Sequence, residues 1–334
     1  MPADSPFVPA AHEPVLVLLE QDAHGLVRPR VADPDVPHLR VTDQGVTRGD
    51  GLFETALAVA DEAGTLRMRK LRAHLGRLAS SATALRLPAP DAAAWEAAVD
   101  AGLRAVEAAS RPAPGARLSV RLTATRGPEA TPGTAPHPTA WVLLTPVPAP
   151  DEAERRAGVR VLLLDRGIDS TAPEHAPWLL TGAKTLSYAV NMAALRHARA
   201  HGADDVIFTS SDGFLLEGPT STVLIARHDP DGRRRLLTPL RQKGILAGTS
   251  QAVVFAAAHA AGWRLGYGPL VPADLEDVDG IWLASSVRGV RPVRAVDGRE
   301  TPVDPTLTAR LQAWLDADGD PGHHVSGDPV TSDA

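Results

Sequence analysis

Short hydrophobic runs alternate with polar positions along most of the chain, and this alternation predicts many strands. In the first half, the predicted strands are "EPVLVLLEQ", "GLFETALAVA", "RLSVRLTATRG" and "TAWVLLTPVP". In the second half, they are "DVIFTS", "FLLEG", "STVLIAR", "RRLLTP" and "GIWLASS". The turn sequences "SDG" and "DPDG" lie between the first four of these later strands. We therefore predict that those four strands form an antiparallel meander.

Helical periodicity separates these strands. The segment "LRMRKLRAHLGRLASSATALRL" reads as a single helix, with an apolar face of Leu71, Leu75, Leu78, Ala82 and Leu85. Further helices are predicted for "DAAAWEAAVDAGLRAVEAAS", "SYAVNMAALRHARAHG" and "GTSQAVVFAAAHAAG". Ser187 is the predicted N-cap of the third helix, and Thr249 or Ser250 that of the fourth. Mixed strands and helices of this kind indicate an α+β fold rather than a doubly wound one.

Composition shifts divide the chain into a predicted series of segments. Prolines at every second position mark "VPAPDEAERRAG" as an interdomain linker, and both ends are rich in Pro, Gly, Asp and Ser. The predicted organisation is a flexible N-terminus (1–14), a small N-terminal domain (15–147), a linker (148–157), a larger C-terminal domain (158–317) and a flexible tail (318–334).

The composition of the 334 residues restricts the function. A hydrophobic content of 44% suits a large buried core, and a formal net charge of -6 argues against a general nucleic-acid binder, although Arg233, Arg234 and Arg235 form a basic run in a predicted hairpin. The absence of cysteine excludes disulfides and thiolate chemistry, the scattered histidines give no metal site, and no run of apolar residues is long enough to span a membrane. We expect a cytoplasmic protein with no nucleic-acid or membrane partner.

Lys184 is one of only three lysines, whereas arginine takes the remaining places among the 34 Lys and Arg residues. Arginine stays protonated, but a buried lysine can lose its proton and act as a nucleophilic amine. Lys184 lies in the glycine-flanked stretch "TGAKTLSY", which makes it a candidate for covalent chemistry. The alternative is a surface lysine retained by chance, so the interpretation depends on its companions in the sequence.

An imine-forming lysine that works with an aldehyde cofactor needs an anion site and an acidic partner. The helix that begins near Thr249 and Ser250 offers backbone N–H groups and hydroxyls for a phosphate, and Arg77 could add a charge. Glu217, in "LLEGPTSTV", is the candidate acid. Each residue also has a simpler explanation: a helix cap, a solvated helix face or an edge-strand charge. "TGAKT" lacks the further glycine and the preceding strand of a P-loop.

The order of several motifs resembles one enzyme family over about residues 15 to 316. The motifs are "VTDQGVTRGDGLFET", "HLGRL", "GAKTLSYAVNMAAL", "DDVIFTSSDGFLLEGPTSTVLI", "GILAGTS" and "WLASSVRGVRPV". They resemble the class IV (fold-type IV) pyridoxal-phosphate enzymes, which include branched-chain aminotransferases, D-amino-acid aminotransferases and 4-amino-4-deoxychorismate lyases. The resemblance implies a small N-terminal α/β domain, a larger C-terminal α/β domain with antiparallel sheets, pyridoxal 5'-phosphate between them, and a homodimer.

The resemblance also assigns roles to residues at matching positions. Lys184 matches the Schiff-base lysine, Glu217 the carboxylate that faces the pyridine nitrogen, and Tyr188 the tyrosine near the ring hydroxyl. The matches to phosphate contacts are Arg77, Thr249, Ser250 and Ser286. These roles are what the resemblance implies, and the spacing of residues alone does not establish them.

The motifs favour one subfamily. "RLTATRG" and "SSVRGVRPV" resemble aminodeoxychorismate lyases more than branched-chain aminotransferases. The lyase eliminates pyruvate from 4-amino-4-deoxychorismate to give 4-aminobenzoate, a folate precursor, and Arg126 and Arg288 become candidate ligands of the substrate carboxylates. The alternative for each arginine is a surface ion pair. The alternative functions are a class IV aminotransferase for branched-chain L-amino acids or D-amino acids, and a non-catalytic cofactor-binding protein on the same scaffold.

Overall fold

The computed structural model describes residues 13–22, 26–129, 137–240 and 244–317. The chain forms two compact units, of which the first comprises Met1–Ala149 and Ala183–Tyr188 and the second comprises Pro150–Gly182 and Ala189–Ala334. The predicted flexible tail (318–334) and all but two residues of the predicted flexible N-terminus lie outside the described residues, as does Lys243.

The first unit contains a six-stranded antiparallel sheet. Its strands are Val15–Gln21 (β1), Val27–Ala32 (β2), Gly51–Ala60 (β3), Leu66–Met68 (β4), Arg117–Thr125 (β5) and Thr139–Pro146 (β6). The strand order is β2-β1-β6-β5-β3-β4. The long strands β3 and β5 pair from Gly51 to Val59 of β3, whereas β4 pairs only with the last three residues of β3.

Helices of the first unit are Gln44–Thr47 (α1), Leu71–Leu85 (α2) and Ala92–Ser110 (α3). Helix α3 begins at Asp91, whose side chain accepts the backbone N–H of Ala94 at 2.8 Å. Gly102 permits α3 to approach the sheet closely, because a Cβ at this position would lie 2.4 Å from Leu144 Cδ1. A side chain at Gly102 would therefore require Leu144 to move.

The second unit contains an eight-stranded mixed sheet. Its strands are Val159–Asp165 (β7), Asp205–Thr209 (β8), Thr222–His228 (β9), Arg234–Pro239 (β10), Arg264–Gly268 (β11), Gly280–Ser285 (β12), Gly289–Val296 (β13) and Arg299–Glu300 (β14). The order is β11-β10-β9-β12-β13-β7-β8, and β14 pairs with β13. Its helices are Glu152–Ala157 (α4), Ala172–His175 (α5), Ala189–Ala200 (α6), Thr249–Ala260 (α7) and Pro305–Asp316 (α8), with 3-10 turns at Pro177–Leu179 and Pro272–Leu275.

Among the described residues, three clusters of buried hydrophobic side chains stabilise the second sheet. One includes Ile207, Val223, Ile281 and Val293, a second joins residues of β9, β10, β12 and β13 to α7 and α8, and a third joins α6 to β8. In the second cluster, Trp282 of β12 donates its Nε1–H to Thr308 Oγ1 of α8 at 2.8 Å. Successive side chains of these strands point to opposite faces of the sheet, and a buried core lies on each face. Helices packed against such a sheet agree with the predicted α+β class.

The predicted meander is wrong in its first two members. Strand β8 pairs in parallel with β7, and only β9 and β10 form the expected antiparallel hairpin. The segment "FLLEG" forms no named strand, although Leu215 makes an isolated bridge to Thr209. Alternating hydrophobicity indicates that a strand has a buried face, but it does not identify the partner strand. The helices between β7 and β8 permit the parallel connection that the pattern could not reveal.

Three predicted helix boundaries also differ. Residues 66–68 form β4 and pair with β3, so α2 starts at Leu71 after Lys70, which adopts a left-handed conformation. Helix α7 has Gly248 at its N-cap rather than Thr249 or Ser250. Helix α6 starts at Ala189, so Ser187 precedes the cap position, and its Oγ–H donates to the carbonyl of Gly49 at 3.3 Å. Residues 152–157 of the predicted linker form α4.

The helices of the described residues include none with the combined length and apolar character that a membrane crossing requires. Within the same residues, no group of three or more His, Cys, Asp or Glu side chains is arranged to hold a metal ion.

Candidate active site

The backbone around Lys184 is fixed by the first unit. Its N–H donates to Ser81 Oγ of α2 at 3.1 Å, and its carbonyl accepts the N–H of Phe53 of β3 at 3.0 Å. Leu186 N–H then donates to the carbonyl of Gly51 at 2.8 Å. These contacts attach the segment 183–188 to the end of β3, with an isolated antiparallel bridge at Thr185. The predicted cofactor lysine is therefore held by a strand and a helix.

Aromatic rings surround the Lys184 amine within the first unit. Lys184 Nζ lies 4.4 Å from the ring centroid of Phe53 and 5.7 Å from that of Tyr188. The two rings pack edge to face, with centroids 5.3 Å apart and an angle of 81° between their planes. The structure thus brings together Lys184 and Tyr188, two of the residues that the sequence places at the cofactor.

Arg121 is a further cation at this cluster that the sequence reasoning missed. Its guanidinium carbon lies 4.0 Å from the Phe53 centroid, and among the described residues it forms no ion pair with a carboxylate. Burial lowers the pKa of Arg121 below its ordinary value, while the negative form of Tyr188 opposes that shift. Arginine nevertheless stays charged in proteins, so a half-buried positive charge lies close to Lys184.

A sequence signal for Arg121 existed but depended on strand pairing. Arg121 pairs with Thr55 across β5 and β3, and Phe53 pairs with Thr123, so Phe53 and Arg121 are diagonal neighbours. A cationic residue in the middle of a predicted strand, with no acidic residue opposite, is unusual enough to attract attention. Only the register between β3 and β5 places it beside Phe53.

Arg77, the predicted phosphate ligand, lies on α2 and makes a two-pronged contact with Glu54 of β3. Arg77 Nε donates to Glu54 Oε1 at 2.6 Å, and Arg77 Nη2 donates to Oε2 at 2.8 Å. The ring of His74 also contacts Oε2 through Nδ1 at 2.8 Å. The sequence analysis proposed Arg77 as a phosphate contact but did not identify Glu54 as its partner.

Arg126, a predicted substrate ligand, is engaged in contacts within the first unit. It donates to Asp50 through Nε at 2.5 Å, to the carbonyl of Leu85 through Nη2 at 2.9 Å, and to that of Arg86 through Nη1 at 3.2 Å. The last two contacts satisfy carbonyls at the C-terminal end of α2, where a positive charge is favourable. This arrangement favours a structural role for Arg126 over binding of a substrate carboxylate.

In the second unit, three predicted phosphate contacts lie together at the N-terminus of α7. Thr249 Oγ1 and Ser250 Oγ lie 3.3 Å and 3.4 Å from Ser286 Oγ, which follows β12. The first N–H groups of a helix have no acceptor within the helix, and the helix dipole favours an anion there. A Cβ at Gly248 would lie 2.4 Å from Thr222 Oγ1, so the start of α7 approaches β9 closely enough to require glycine.

Glu217 lies in the same unit, directly before the turn that leads to β9. Its backbone carbonyl accepts the N–H of Phe208 at 3.1 Å, which attaches it to β8 although no named strand includes it. Its Oε1 accepts the backbone N–H of Leu246 at 3.2 Å. The carboxylate is therefore oriented by the segment that leads into α7.

Arg288, the second predicted substrate ligand, contacts a buried carboxylate. Its Nη1 donates to Asp205 Oδ2 at 3.2 Å, and its Nη2 donates to Thr220 Oγ1. Arg291 donates to the same Asp205 oxygen. Asp205 is completely buried, so these arginines provide the positive charge that such a carboxylate requires. Arg288 thus has a structural function on β8, whatever its role toward a substrate.

A cavity of ≈ 270 Å³ lies elsewhere in the first unit, beside the C-terminal end of α3. Its lining includes Val15, Val106, Arg111 and Leu118 and none of the predicted site residues.

The residue types and their settings suit pyridoxal phosphate. Hydroxyls at the start of a helix are suited to a phosphate, a carboxylate such as that of Glu217 to a protonated ring nitrogen, and an amine such as that of Lys184 to an aldehyde. Of the residues predicted to contact the cofactor, Arg77, Lys184 and Tyr188 belong to the first unit, and Glu217, Thr249, Ser250 and Ser286 belong to the second.

Comparison with known proteins identifies the family of the chain. The amino-transferase class IV family matches residues 51–296. The chain is 45% identical, over 82% of its length and 91% of the relative's, to a bifunctional aminodeoxychorismate lyase / D-amino acid transaminase of Mycobacterium tuberculosis.

Two solved structures extend the comparison to the fold. The fold IV-transaminase CpuTA1 of Curtobacterium pusillum is 42% identical with a TM-score of 0.79, covering 91% of this chain and 99% of that one. The PLP-bound form of a hypothetical aminotransferase from M. tuberculosis is 41% identical with a TM-score of 0.78, covering 91% and 98%. The α+β fold predicted from the sequence is thereby confirmed as fold type IV, and the chain belongs to the class IV aminotransferase family of pyridoxal-phosphate-dependent enzymes.

Proposed function

We propose that this enzyme is a 4-amino-4-deoxychorismate lyase, which eliminates pyruvate to give 4-aminobenzoate for folate biosynthesis. The observation that carries this proposal is the 45% identity to the bifunctional M. tuberculosis relative, across 91% of that protein. The motifs "RLTATRG" and "SSVRGVRPV" support the same subfamily.

A second activity is favoured by the same relative, whose name also includes D-amino acid transaminase. Of the two aminotransferase substrates that the sequence left open, this name favours D-amino acids over branched-chain L-amino acids. The two reactions share their first proton removal and differ afterwards. In a lyase, the substrate then loses a leaving group. In a transaminase, the proton is instead transferred to a carbon of the cofactor, and a second substrate is required to complete the cycle.

The predicted site residues receive roles in this proposal. Pyridoxal phosphate, when bound, supplies an electron-withdrawing ring that stabilises negative charge on the substrate carbon. Glu217 holds the proton on the ring nitrogen, and the Lys184 amine takes the proton from the substrate carbon. Arg77, Thr249, Ser250 and Ser286 bind the phosphate, and Tyr188 contacts the ring hydroxyl. Each role follows from the family resemblance together with the local contacts of the residue.

For substrate recognition we add Arg121 to the proposal. Aminodeoxychorismate and D-amino acids both carry a carboxylate, and a guanidinium binds a carboxylate through two parallel hydrogen bonds. Arg121 lies over the same Phe53 ring as the Lys184 amine, and no carboxylate of the described residues pairs with it. Arg126 and Arg288 already contact Asp50 and Asp205, so we rank them below Arg121.

We propose a homodimer, as the family resemblance implies, and a cytoplasmic enzyme whose partners are its cofactor and a small-molecule substrate.

The deciding experiment supplies 4-amino-4-deoxychorismate without any 2-oxo acid. A lyase releases pyruvate and 4-aminobenzoate in equal amounts over many turnovers, because its cofactor returns to the aldehyde form each time. In a separate reaction, D-alanine alone should give a single cofactor conversion that 2-oxoglutarate restores if the transaminase activity is also present. Absence of 4-aminobenzoate, together with sustained D-alanine transamination, would assign the enzyme to the second activity alone.

A further inference from the structure

A buried cluster of charge joins β3 to α2. Glu54 of β3 is 0% exposed and His74 of α2 is 1% exposed, and the Arg77 side chain is 11% exposed. Both oxygens of Glu54 accept hydrogen bonds, since Oε1 contacts Arg77 Nε and Oε2 contacts Arg77 Nη2 and His74 Nδ1. The planes of the carboxylate and the guanidinium are thus locked together by two parallel contacts.

Glu54 is ionised in this cluster. Burial alone raises the pKa of its carboxyl, but the charge of Arg77 and the hydrogen bonds from His74 and Arg77 outweigh burial and hold that pKa at about 2. Burial lowers the pKa of His74 below its ordinary value, so the imidazole is neutral near pH 7 and donates its Nδ1–H to the carboxylate. The result is a compensated ion pair with a neutral donor beside it.

Rigid elements hold every member of the cluster. Glu54 lies in β3, paired with Leu122 of the neighbouring strand β5, and His74 and Arg77 are one helical turn apart on α2. The guanidinium uses its Nε–Nη2 edge for Glu54, and because it is planar, that contact also fixes the direction of the Nη1 edge. Lysine at this position could not be oriented in the same manner.

We propose that Glu54, assisted by His74, is a positioning residue that orients the guanidinium of Arg77 toward the cofactor phosphate. This inference rests on the proposed cofactor role of Arg77. The alternative is that the cluster only stabilises the fold, as many buried ion pairs do. The two possibilities differ in whether Glu54 affects binding of the phosphate group specifically.

The test compares pyridoxal phosphate with pyridoxal, which has the same aldehyde and ring but no phosphate. The dissociation constant of each is measured by absorbance titration of the full-length apoenzyme for wild type, Glu54→Gln, His74→Gln and Arg77→Lys. Glu107→Gln is the matched control, because Glu107 also accepts a hydrogen bond in the first unit, from the N–H of Leu66 at 2.7 Å, but contacts no predicted site residue.

Glu54→Gln should weaken pyridoxal phosphate binding by roughly 10-fold or more, as loss of an orienting partner behind a ligand typically does, with little change for pyridoxal. The ratio of the dissociation constant of pyridoxal phosphate to that of pyridoxal therefore rises in Glu54→Gln. His74→Gln should raise the same ratio by a smaller factor, and this variant provides the test if Glu54→Gln does not fold. Glu107→Gln should leave the ratio unchanged. In an Arg77→Lys background, Glu54→Gln should have little further effect, because it acts through Arg77.

Two results would overturn the inference. Equal weakening of both ligands by Glu54→Gln would show a purely structural role, and tighter binding of pyridoxal phosphate would show that the carboxylate opposes the phosphate instead of orienting its ligand. A different failure is visible in Arg77→Lys. If that variant leaves the ratio unchanged, the phosphate role of Arg77 itself is wrong, irrespective of Glu54.

Discussion

Ser81 and Lys184 are joined by a hydrogen bond in which the lysine backbone N–H donates to the serine Oγ at 3.1 Å. Ser81 is 2% exposed and lies one turn after Arg77 on α2. One helix therefore carries both the predicted phosphate ligand and the hydroxyl that fixes the lysine backbone. The spacing between these two predicted cofactor contacts depends on the integrity of α2.

Ser81→Ala should impair the placement of Lys184. The change leaves a backbone N–H without its acceptor, which typically costs about 1–3 kcal/mol when the group is buried. We expect slower formation of the covalent link between Lys184 and pyridoxal phosphate, measured by stopped-flow absorbance after mixing apoenzyme with cofactor. Ser80→Ala is the matched control, because Ser80 is exposed and contacts only the carbonyl of Gly76 within α2. If the covalent link forms at the same rate in both variants, the Ser81 hydroxyl does not contribute to the placement of Lys184.

Lys184→Ala should abolish the covalent link to the cofactor. The chain offers a simple assay, because only Lys70 and Lys243 could compete as sites of reduction. Borohydride reduction of the wild-type holoenzyme, followed by peptide mapping, should place the pyridoxyl group on Lys184. Lys70→Ala is the control and should retain the label. Modification of Lys70 or Lys243 in the wild type would contradict the assignment.

Glu217→Gln should retain cofactor but lose most turnover. Glutamine keeps the shape of the side chain and can still accept from Leu246, but it cannot stabilise a proton on the ring nitrogen. We expect a loss of ~10²-fold or more in kcat, as is typical for a group that holds a catalytic proton. Glu300→Gln, at an exposed position of β14, is the control and should behave as wild type. Normal kcat in Glu217→Gln would remove Glu217 from the chemistry.

The sequence predicted the family and the fold class because these depend on ordered local patterns. "GAKTLSY" and "GILAGTS" are contiguous, and each contains its predicted functional residues within a few positions. Strand alternation also located β3 and β5 correctly, since each has one face that is buried without interruption.

The sequence could not predict relationships that depend on strand pairing. Arg121 is placed beside Phe53 by the register between β3 and β5, and Glu54 meets Arg77 because β3 lies beneath α2. Arg126 matched a motif, but its contacts with Asp50 and the end of α2 could not be inferred from one segment. The parallel pairing of β7 with β8 was missed for the same reason.

Arg121→Gln should weaken substrate use more than cofactor binding. Removal of the charge eliminates the two-pronged contact that we propose for the substrate carboxylate, and interactions of this type contribute about 1.5–3 kcal/mol. We therefore expect kcat/KM to fall by roughly 10- to 100-fold, mostly through KM, while the dissociation constant of pyridoxal phosphate changes little.

Two variants control for this effect. Arg121→Lys keeps the charge but not the planar fork, so it should recover only a part of kcat/KM. Arg294→Gln, at an exposed position of β13, should have no effect. If Arg121→Gln lowers cofactor affinity as much as it lowers kcat/KM, the residue acts on the cofactor and not on the substrate.

The Glu54 cluster should make the first unit sensitive to acid within a defined pH range. The pKa of Glu54 is held at about 2, below its ordinary value of 4.5, so the folded state binds this proton less readily than the unfolded state. Ionised Glu54 therefore adds stability that is fully present above about pH 4.5 and is lost as pH falls toward 2. A shift of this size corresponds to about 3 kcal/mol. Burial lowers the pKa of His74 below its ordinary value of 6.5. His74 therefore adds a second loss of stability, which begins as the pH falls below about 6.5.

Urea denaturation across pH 2 to 7 separates the two groups. The stability difference between wild type and Glu54→Gln should be largest above pH 4.5 and should shrink as the pH approaches 2, because the protonated wild-type carboxyl then resembles the amide. His74→Gln should keep that acid-dependent loss and remove only the part that begins near pH 6.5. Asp61→Asn, in the exposed turn before β4, should leave both parts intact. A stability difference between wild type and Glu54→Gln that stays constant down to pH 2 would mean that folding does not lower the pKa of Glu54, and would contradict the ion pair with Arg77.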